Sequence, residues 1–555
     1  MTNSRPPALP QPATFPASAD STFDFIVIGS GFAGSLIATI LQTQGRRVAI
    51  VDRSSHPRFA IGESSTPAAS LILSSLADQY DLSWLKPFAK YGVWKSAYPE
   101  ITTGRKRGFS YFHHEAGIPF QPKPNHSNEL LAAASSSDQL SDTQWLRSDV
   151  DDFFFKKACE SGVAPFENSE IGTLHRRENG WLVDLIKSPQ HPGSAPRTLA
   201  ADFLIDASGS GQVLGQHLDI EDQADRLDTN SHAIFAHVTG LPEWHDTLEQ
   251  AAPGSTTDHP FHCDHAAQHH ILDEGWMWWL RFDSNVTSVG VVMDDRANES
   301  PASKTAEAEF REIISRYPKL KTVFATASFS NASWMPIRTK RLQRLAGQIT
   351  GINWAMLPHT AGFIDPLHST GIAQSLSGVE RLAEVLLAQK RQPTDNSADH
   401  SLLRFRSLGH YGSIVRDELT LIDQLVAGCY DAIAQGSFRK FAAFTMCYFA
   451  AATTWERRRL SDKGHPAPEI ASSPTVHRPA LLCADVAEFR AAVYNLRGQM
   501  PDETDESFET LCKETLAPFN HVGLFEPHIP NMYGATALPE DGEHRPANTE
   551  RPTSK

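Results

Sequence analysis

The sequence predicts an α/β fold: a doubly wound body with an inserted β-rich substrate region and a helical C-terminal region. Three observations lead there. A complete βαβ unit with a glycine-rich turn opens near Phe23. Strand-like pieces recur between His232 and Met293. Long stretches of helical periodicity set in beyond Asp399.

The first unit begins with the apolar strand Asp24–Ile28, enters Gly29-Ser30-Gly31-Phe32-Ala33-Gly34, and continues as a helix over Ser35–Thr43 that Gly45 closes. A second strand, Arg47–Val51, ends at Asp52-Arg53. Gly29 suits a tight turn, Gly31 a close backbone approach, and Gly34 tight packing of helix on strand. The helix N-terminus, with Phe32 and Ala33, offers free N–H groups to a pyrophosphate. Asp52 is placed to accept from a ribose hydroxyl, which makes the unit dinucleotide-binding.

Further along, Glu129–Thr143 is rich in Ser, Ala and Asp and reads as a surface loop or weak helix. Trp181–Ile186 and Thr198–Ile205 read as strands, the second ending in Asp206-Ala207-Ser208-Gly209. Ser369–Gln389, Arg416–Ala434 and Phe438–Arg459 have helical periodicity. The predicted organisation is a tail over 1–22, a body over 23–400 with insertions at about 95–145 and 212–345, a helical region over 401–539, and a tail over 540–555.

Net charge is −15, from 50 basic and 65 acidic residues, which excludes a general nucleic-acid binder. The short basic runs Arg105-Lys106-Arg107 and Arg457-Arg458-Arg459 read as solvated faces or internal ion pairs. No apolar run approaches the roughly 20 residues that span a bilayer, and Met1–Ser21 has no apolar signal core, so a cytoplasmic protein with no membrane partner is expected. Six scattered cysteines give neither a disulfide framework nor a zinc motif. His259, His262, His265, His269 and His270 are irregularly spaced, so a polar loop near a substrate entrance is expected rather than a metal centre.

Two later segments favour FAD over NAD. Phe203–Gly209 and Gly362-Phe363-Ile364-Asp365-Pro366 resemble the second and third flavin motifs of glutathione-reductase-type flavoproteins. The resemblance implies that Asp206 and Gly209 lie at the dinucleotide, that Asp365 contacts the ribityl chain, and that Arg147 stands near the flavin.

The resemblance narrows to the flavin-dependent halogenases, above all their phenol and pyrrole branch. Gly62-Glu63-Ser64-Ser65-Thr66-Pro67 is similar to that family's loop beside the isoalloxazine, which places Glu63 and Ser64 at the cofactor. Tyr91-Gly92-Val93-Trp94-Lys95 lies where the family carries its essential lysine, so Lys95 is the first choice, with Lys90 and Lys106 as alternatives. Lys106–His114 resembles the same branch, with Phe109 and Tyr111 expected in the substrate pocket. Asp365–Ile372 resembles the loop whose backbone, at Ser369, Thr370 and Gly371, holds chloride or bromide beside the flavin, with Gly371 and Ile372 also at the cofactor. Trp276-Met277-Trp278-Trp279-Leu280-Arg281 keeps both spaced tryptophans of the WxWxIP hallmark but replaces Ile-Pro by Leu-Arg.

The family's chemistry oxidises halide to hypohalous acid at reduced flavin and leads it to a lysine, so FADH2 from a separate flavin reductase is implied. His368 stands where tryptophan halogenases carry glutamate, which implies a small phenol or pyrrole-type substrate, free or bound to a carrier protein. His113, His114 and His368 are the candidate bases. An aromatic hydroxylase shares the flavin motifs, but has no use for such a lysine. A non-catalytic flavin-binding protein would have no use for the whole loop set.

Overall fold

The computed structural model describes residues 21–187, 197–296, 304–329, 335–388, 397–462 and 478–537; the two expected tails lie almost wholly outside them. The chain opens with β1 (Ser21–Ile28), α1 (Phe32–Thr43) and β2 (Val48–Val51), followed by α2 (Pro67–Gln79) and α3 (Tyr91–Ala97). Next come β3 (Thr103–Lys106), β4 (Gly108–His113), β5 (Glu129–Ala133), β6 (Asp142–Trp145) and α4 (Arg147–Glu160). β7 (Ala164–Phe166), β8 (Ser169–Arg177), β9 (Gly180–Lys187) and β10 (Arg197–Asp206) return the chain to β1.

The middle of the chain holds α5 (Val213–His217), β11 (Ser231–Thr239), α6 (Trp244–Ala251), β12 (Ala267–Leu272), β13 (Gly275–Arg281), β14 (Val286–Asp294), α7 (Ala306–Ser315) and α8 (Pro318–Phe324). Short strands β15 (Ile337–Arg338), β16 (Arg344–Leu345), β17 (Thr350–Gly351), β18 (Trp354–Met356), then α9 (Pro358–Ala361) and β19 (Gly362–Phe363), lead into α10 (Gly371–Leu387). The C-terminal part is α11 (Ser397–Ala434), α12 (Phe438–Asp462), α13 (Ala487–Gln499), α14 (Asp505–Leu516) and the short β20 (Met532–Tyr533).

Two large sheets result. In the first, β18, β10, β1, β2 and β7 lie side by side and parallel, the pattern of a doubly wound nucleotide-binding body, with β17, β9 and β8 added antiparallel. The β1–α1 turn needs its glycines. Gly29 has φ +104, and a Cβ there would lie 2.5 Å from the Ala207 carbonyl oxygen; one on Gly34 would lie 2.1 Å from the carbonyl of Gly29. The second sheet runs β15-β11-β14-β13-β12-β4-β5-β20. α6, α7 and α8 cover its back face with a separate apolar cluster, while its front face joins the main core with α10, α11 and α12.

One sequence expectation is corrected here. Glu129–Thr143 is not a surface loop or helix: Glu129–Ala133 is a fully buried strand clamped between β4 and β20, and Asp142–Trp145 is a second strand against β3. The run Leu130-Leu131-Ala132-Ala133 supplies the apolar surface that burial requires. Among the described residues, no helix is long and apolar enough to cross a membrane.

Candidate active site

The dinucleotide end is assembled from four elements. Gly31 begins α1 with no side-chain cap of its own and no acidic residue in the first turn, and the Phe32 N–H donates to Asp151 of α4 at 3.2 Å. Arg147, at the start of α4, pairs with Asp151 through Nε and Nη2, both at 2.9 Å. It also donates to the carbonyls of Ile61 and Gly62 and lies 4.8 Å over the Phe32 ring. One guanidinium thereby ties the glycine turn to the Gly62–Pro67 loop. A Cβ on Gly31 would lie 3.7 Å from both Arg147 and Asp151, filling a cradle between turn and arginine. Asp52, at the end of β2, accepts from the Ser30 N–H and hydroxyl at 2.8 Å and from Arg58 at 3.0 Å. Burial opposes its ionisation, but Arg58 and the Ser30 and Ser54 donors outweigh it and hold the carboxyl below its ordinary value. These residues fit a dinucleotide with its phosphates on the α1 N-terminus.

Two acids implied at the cofactor are held by partners within the fold. Asp206 is fully buried and accepts from the Ser208 N–H and hydroxyl and from Leu214 N, closing the turn after β10; the Gly209 N–H goes to Thr360. Asp365 accepts from Leu367 N–H, the Ser231 hydroxyl and the Tyr430 hydroxyl at 3.0–3.1 Å, which braces it against α11. Burial pushes its carboxyl up to about 7.

The loop Gly62–Pro67 and the start of α10 meet directly. Ser369, in a left-handed conformation at φ +53, donates to the Ser64 hydroxyl at 3.0 Å. α2 starts at Pro67 and α10 at Gly371, and Thr66, Ala68, Thr370 and Ala373 line one small cavity of about 20 Å³ that Tyr448 and Glu456 of α12 close. Two helix N-termini thus converge on one spot, which favours an anion, while the Glu456 side chain that lines the same cavity opposes one. A Cβ on Gly371 would meet nothing within 4 Å. Ile372, next in α10, is buried. Glu63 turns the other way, to His237 of β11 at 2.7 Å.

The structure separates the three candidate lysines. Lys95 lies on α3 with a third of its side chain exposed, paired with Asp283 at 3.1 Å. Lys90 is partly buried and 4.0 Å from Asp142. Lys106 is completely buried at the end of β3: its Nζ donates to the Ser65 carbonyl of the Gly62–Pro67 loop at 2.5 Å and stands 4.1 Å from the centre of the Phe109 ring. Burial lowers its ammonium to about 7, partly offset by Asp142. The basic run is therefore not one solvated face: Arg105 and Arg107 both reach Asp138, while the lysine between them points inward. Strict alternation would put Lys106 on the face opposite Phe109 and Tyr111; the two meet because the chain passes from β3 to β4 at Arg107.

Around Lys106 the walls are aromatic. Phe109 and Tyr111 on β4 stack with His269 of β12, and Tyr448, Phe449 and Phe441 of α12 pack edge-on against them. Trp276 lies 5.0 Å from His269 and donates to the Tyr430 hydroxyl; Trp278 donates to Ser288 and lies flat across Gly290, where a Cβ would be 2.1 Å from its ring. His368 stacks on Tyr448 at 4.6 Å, its Nε2 is 3.9 Å from Cys429 Sγ, and its buried Nδ1 has no hydrogen-bond partner, nor has the Tyr111 hydroxyl. Burial holds His368 and His269 down at about 3, so both are neutral.

His114 sits on the back of the second sheet against His270 at 2.9 Å. His113 stacks on Phe438 beside a cavity of about 200 Å³, which Phe441 separates from Tyr111. The histidine-rich stretch is thus no single polar loop: His269 and His270 lie in β12, buried on opposite faces, because the strand alternates through them. The Leu280-Arg281 departure also has a place. Arg281 binds the buried Asp264 at 2.6 Å and the carbonyls of Leu241 and Pro242, and Asp264 in turn accepts from the first N–H groups of α6.

Fold and site define a protein with a Rossmann-like dinucleotide-binding body and a chamber between its second sheet and its C-terminal helices. The sequence model of the tryptophan halogenase family matches residues 144–401, and that of an NAD(P)-binding Rossmann-like domain matches 27–98. The chain is 26% identical to tetracycline 7-halogenase of Kitasatospora aureofaciens over 67% of this chain and 65% of that protein. It is 27% identical to monodechloroaminopyrrolnitrin halogenase PrnC of Pseudomonas fluorescens over 76% of this chain and 70% of that one. Among solved structures, halogenase PltM in complex with phloroglucinol and FAD superposes with a TM-score of 0.77 at 23% identity, covering 90% of this chain and 97% of PltM. In sequence and in fold the chain is thus similar to flavin-dependent halogenases.

Proposed function

We propose that this protein is an FADH2-dependent halogenase of electron-rich aromatic compounds of the phenol or pyrrole type, with Lys106 as its catalytic lysine. The observation that carries the assignment of the lysine is the buried Lys106 ammonium, held 2.5 Å from the Ser65 carbonyl and facing the Phe109 ring, whereas Lys95 is tied to Asp283 on a half-exposed helix. Reduced flavin, supplied by a separate reductase, provides the electrons with which oxygen converts halide into hypohalous acid.

Gly31, the first turn of α1, Asp52 and Arg147 hold the dinucleotide. The N–H groups of Thr370 and Gly371, at the paired N-termini of α10 and α2, hold chloride or bromide. Lys106 donates a proton to the oxygen of hypohalous acid. The aromatic carbon takes the halogen as the oxygen–halogen bond breaks, the oxygen leaves as water, and the displaced ring proton goes to a neutral imidazole. His368, with Nδ1 unpartnered, is the base of choice; once charged, it returns the proton toward Lys106. Phe109, Tyr111, His269 and Trp276 hold the substrate ring, and the cavity beyond Phe441 supports entry along the β4–α12 edge. The names of the relatives support this class of substrate: a tetracycline, a monodechloroaminopyrrolnitrin and, in one further relative, a pyrrole-2-carbonyl carrier-protein conjugate.

The test is turnover of a phenol and pyrrole panel with FAD, NADH, a flavin reductase, oxygen and bromide or chloride, with products read by halogen isotope pattern. Halogenated product from the parent and Lys95→Ala, but none from a Lys106→Met variant that still binds FAD, is the expected result. Hydroxylated product without halogen overturns the activity; loss of product with Lys95→Ala and retention with Lys106→Met overturns the assignment of the lysine.

A further inference from the structure

A second constellation lies away from the chamber, where β5 meets the loop that precedes β12. His126, Glu129 and His259 bring one imidazole nitrogen each and a carboxylate oxygen within 4.8 Å of one another. Glu129 is wholly buried on β5, and His259 has only 2% of its side chain exposed. His126 Nδ1 is 2.5 Å from Glu129 Oε1, and His259 Nε2 is 3.4 Å from Glu129 Oε2. Neither ring nitrogen of His259 has a hydrogen-bond partner, and neither has Glu129 Oε2, although all three are buried. Leaving such groups unsatisfied costs about 1–3 kcal/mol each.

We propose that His126, Glu129 and His259 form a structural binding site for one divalent cation of the zinc type. Two imidazoles and one carboxylate are a set that zinc accepts, and donors about 2 Å from a tetrahedral ion stand about 3.3 Å apart, which the His259–Glu129 separation already matches. The other nitrogen of His126 faces the Asp258 carboxylate at 3.5 Å, the carboxylate–histidine–metal relation that orients a ligating imidazole. His126 itself is held at φ +53, a left-handed conformation uncommon for a non-glycine residue, by bonds from its N–H to Lys123 and from Asn531 to its carbonyl. The sequence pattern hid the site because its ligands are 130 residues apart and only His259 belongs to the histidine-rich stretch.

The placement gives the ion a purpose. It would join the loop after α6 to β5, and Asn531 joins the same point to the chain that enters β20. That loop leads directly into β12, which carries His269, and β5 flanks β4, which carries Phe109 and Tyr111. The ion would thus fasten the edge of the sheet whose front face forms the chamber, without touching the reacting groups.

The experiment is metal reconstitution of the full-length protein, stripped with chelator and titrated with zinc and, separately, cobalt(II). One equivalent should bind, cobalt should give the intense visible absorption of a tetrahedral site, and zinc should raise the thermal midpoint by several degrees, reversibly with chelator. Glu129→Gln and His259→Ala should each abolish the cobalt spectrum. Should Glu129→Gln fail to fold, His259→Ala, which lies in a loop outside the sheet, carries the test with circular dichroism as the folding control. No stoichiometric binding by the parent, or binding and spectrum unchanged in a folded variant, overturns the proposal and leaves a hydrogen-bonded His–Glu–His cluster.

Discussion

On β12, His269 and His270 are neighbours, both buried and both held neutral by burial, yet they face opposite sides of the second sheet. His269 looks toward Tyr111, Trp276 and Lys106; His270 looks toward His114, Trp244 and Trp279. β13 repeats the division: Trp276 and Trp278 belong to the front cluster, Met277 and Trp279 to the back. Composition does not distinguish these faces. What separates them is what packs on top: α6, α7 and α8 seal the back with apolar side chains, whereas the front meets α11, α12, the Gly62–Pro67 loop with the α2 N-terminus, Lys106 from the end of β3, and His368 from the segment before α10. The period of two along a strand therefore decides function residue by residue.

The sharpest way to break this contrast is at the lysines. Lys106→Met should lower halogenation at least about a thousandfold with FAD binding retained, the scale expected when a group acting on the reacting atoms is removed. Lys95→Ala should stay within about twofold, because it loses only a partly exposed ion pair with Asp283. Product assays at saturating substrate check both. Equal losses from the two substitutions would mean that front-face burial does not select the functional lysine.

The histidines give the next largest effect. His269→Ala should cut kcat about 10- to 100-fold while the protein stays folded, since the ring stacks on Tyr111 and packs against Trp276 in the chamber wall. His270→Ala should leave kcat per folded molecule nearly unchanged but cost about 2 kcal/mol of stability, because it empties space beside Trp244 and Trp279 and strands His114. Chemical denaturation paired with kinetics separates the two outcomes.

How far these assignments can be read in advance depends on how local the signal is. The β1–α1–β2 unit was legible because turn, helix N-terminus and terminal acid occur within thirty contiguous residues, and each glycine answers a backbone clash visible at short range. Lys106 was harder, since it sits between two arginines that suggest a solvated run, and the break between β3 and β4 at Arg107, which turns it toward Phe109, has no local sign. Asp365 resembled a cofactor ligand by motif, yet its partners Ser231 and Tyr430 come from 134 and 65 residues away. No local pattern encodes that. Glu63–His237 and the His126–Glu129–His259 cluster share this origin: they exist only because the second sheet brings distant strands and loops together.

Front-face burial also makes a statement about stability. Folded, Lys106 sheds its proton near pH 7, whereas in the unfolded chain it keeps it to the ordinary lysine value of 10.5. Between those values the unfolded chain binds the extra proton, so this group's penalty is full below pH 7 and is relieved as pH rises toward 10.5. Lys106→Met should therefore be more stable than the parent at pH 7, by roughly 2–4 kcal/mol, and the gap should narrow by pH 10. Unfolding curves at both pH values read it. A gap that widens with pH would reverse the sign and remove the case for a destabilised, functional ammonium.

The smallest effect tests the departure at the end of β13. Arg281 lies where the family hallmark has proline, and its side chain reaches the Asp264 carboxylate, which also caps the first N–H groups of α6. Burial opposes ionisation of Asp264, but Arg281 and those N–H donors outweigh it and keep the carboxyl below its ordinary value. Arg281→Met leaves that buried carboxylate with the helix N–H groups alone, so it should cost about 1–2 kcal/mol, concentrated at α6. Because α6 packs on the back face, the change should speed hydrogen exchange there while kcat moves less than about twofold. A large loss of turnover with α6 still protected would instead connect Arg281 to the tryptophans at the front, and the two faces would no longer be independent.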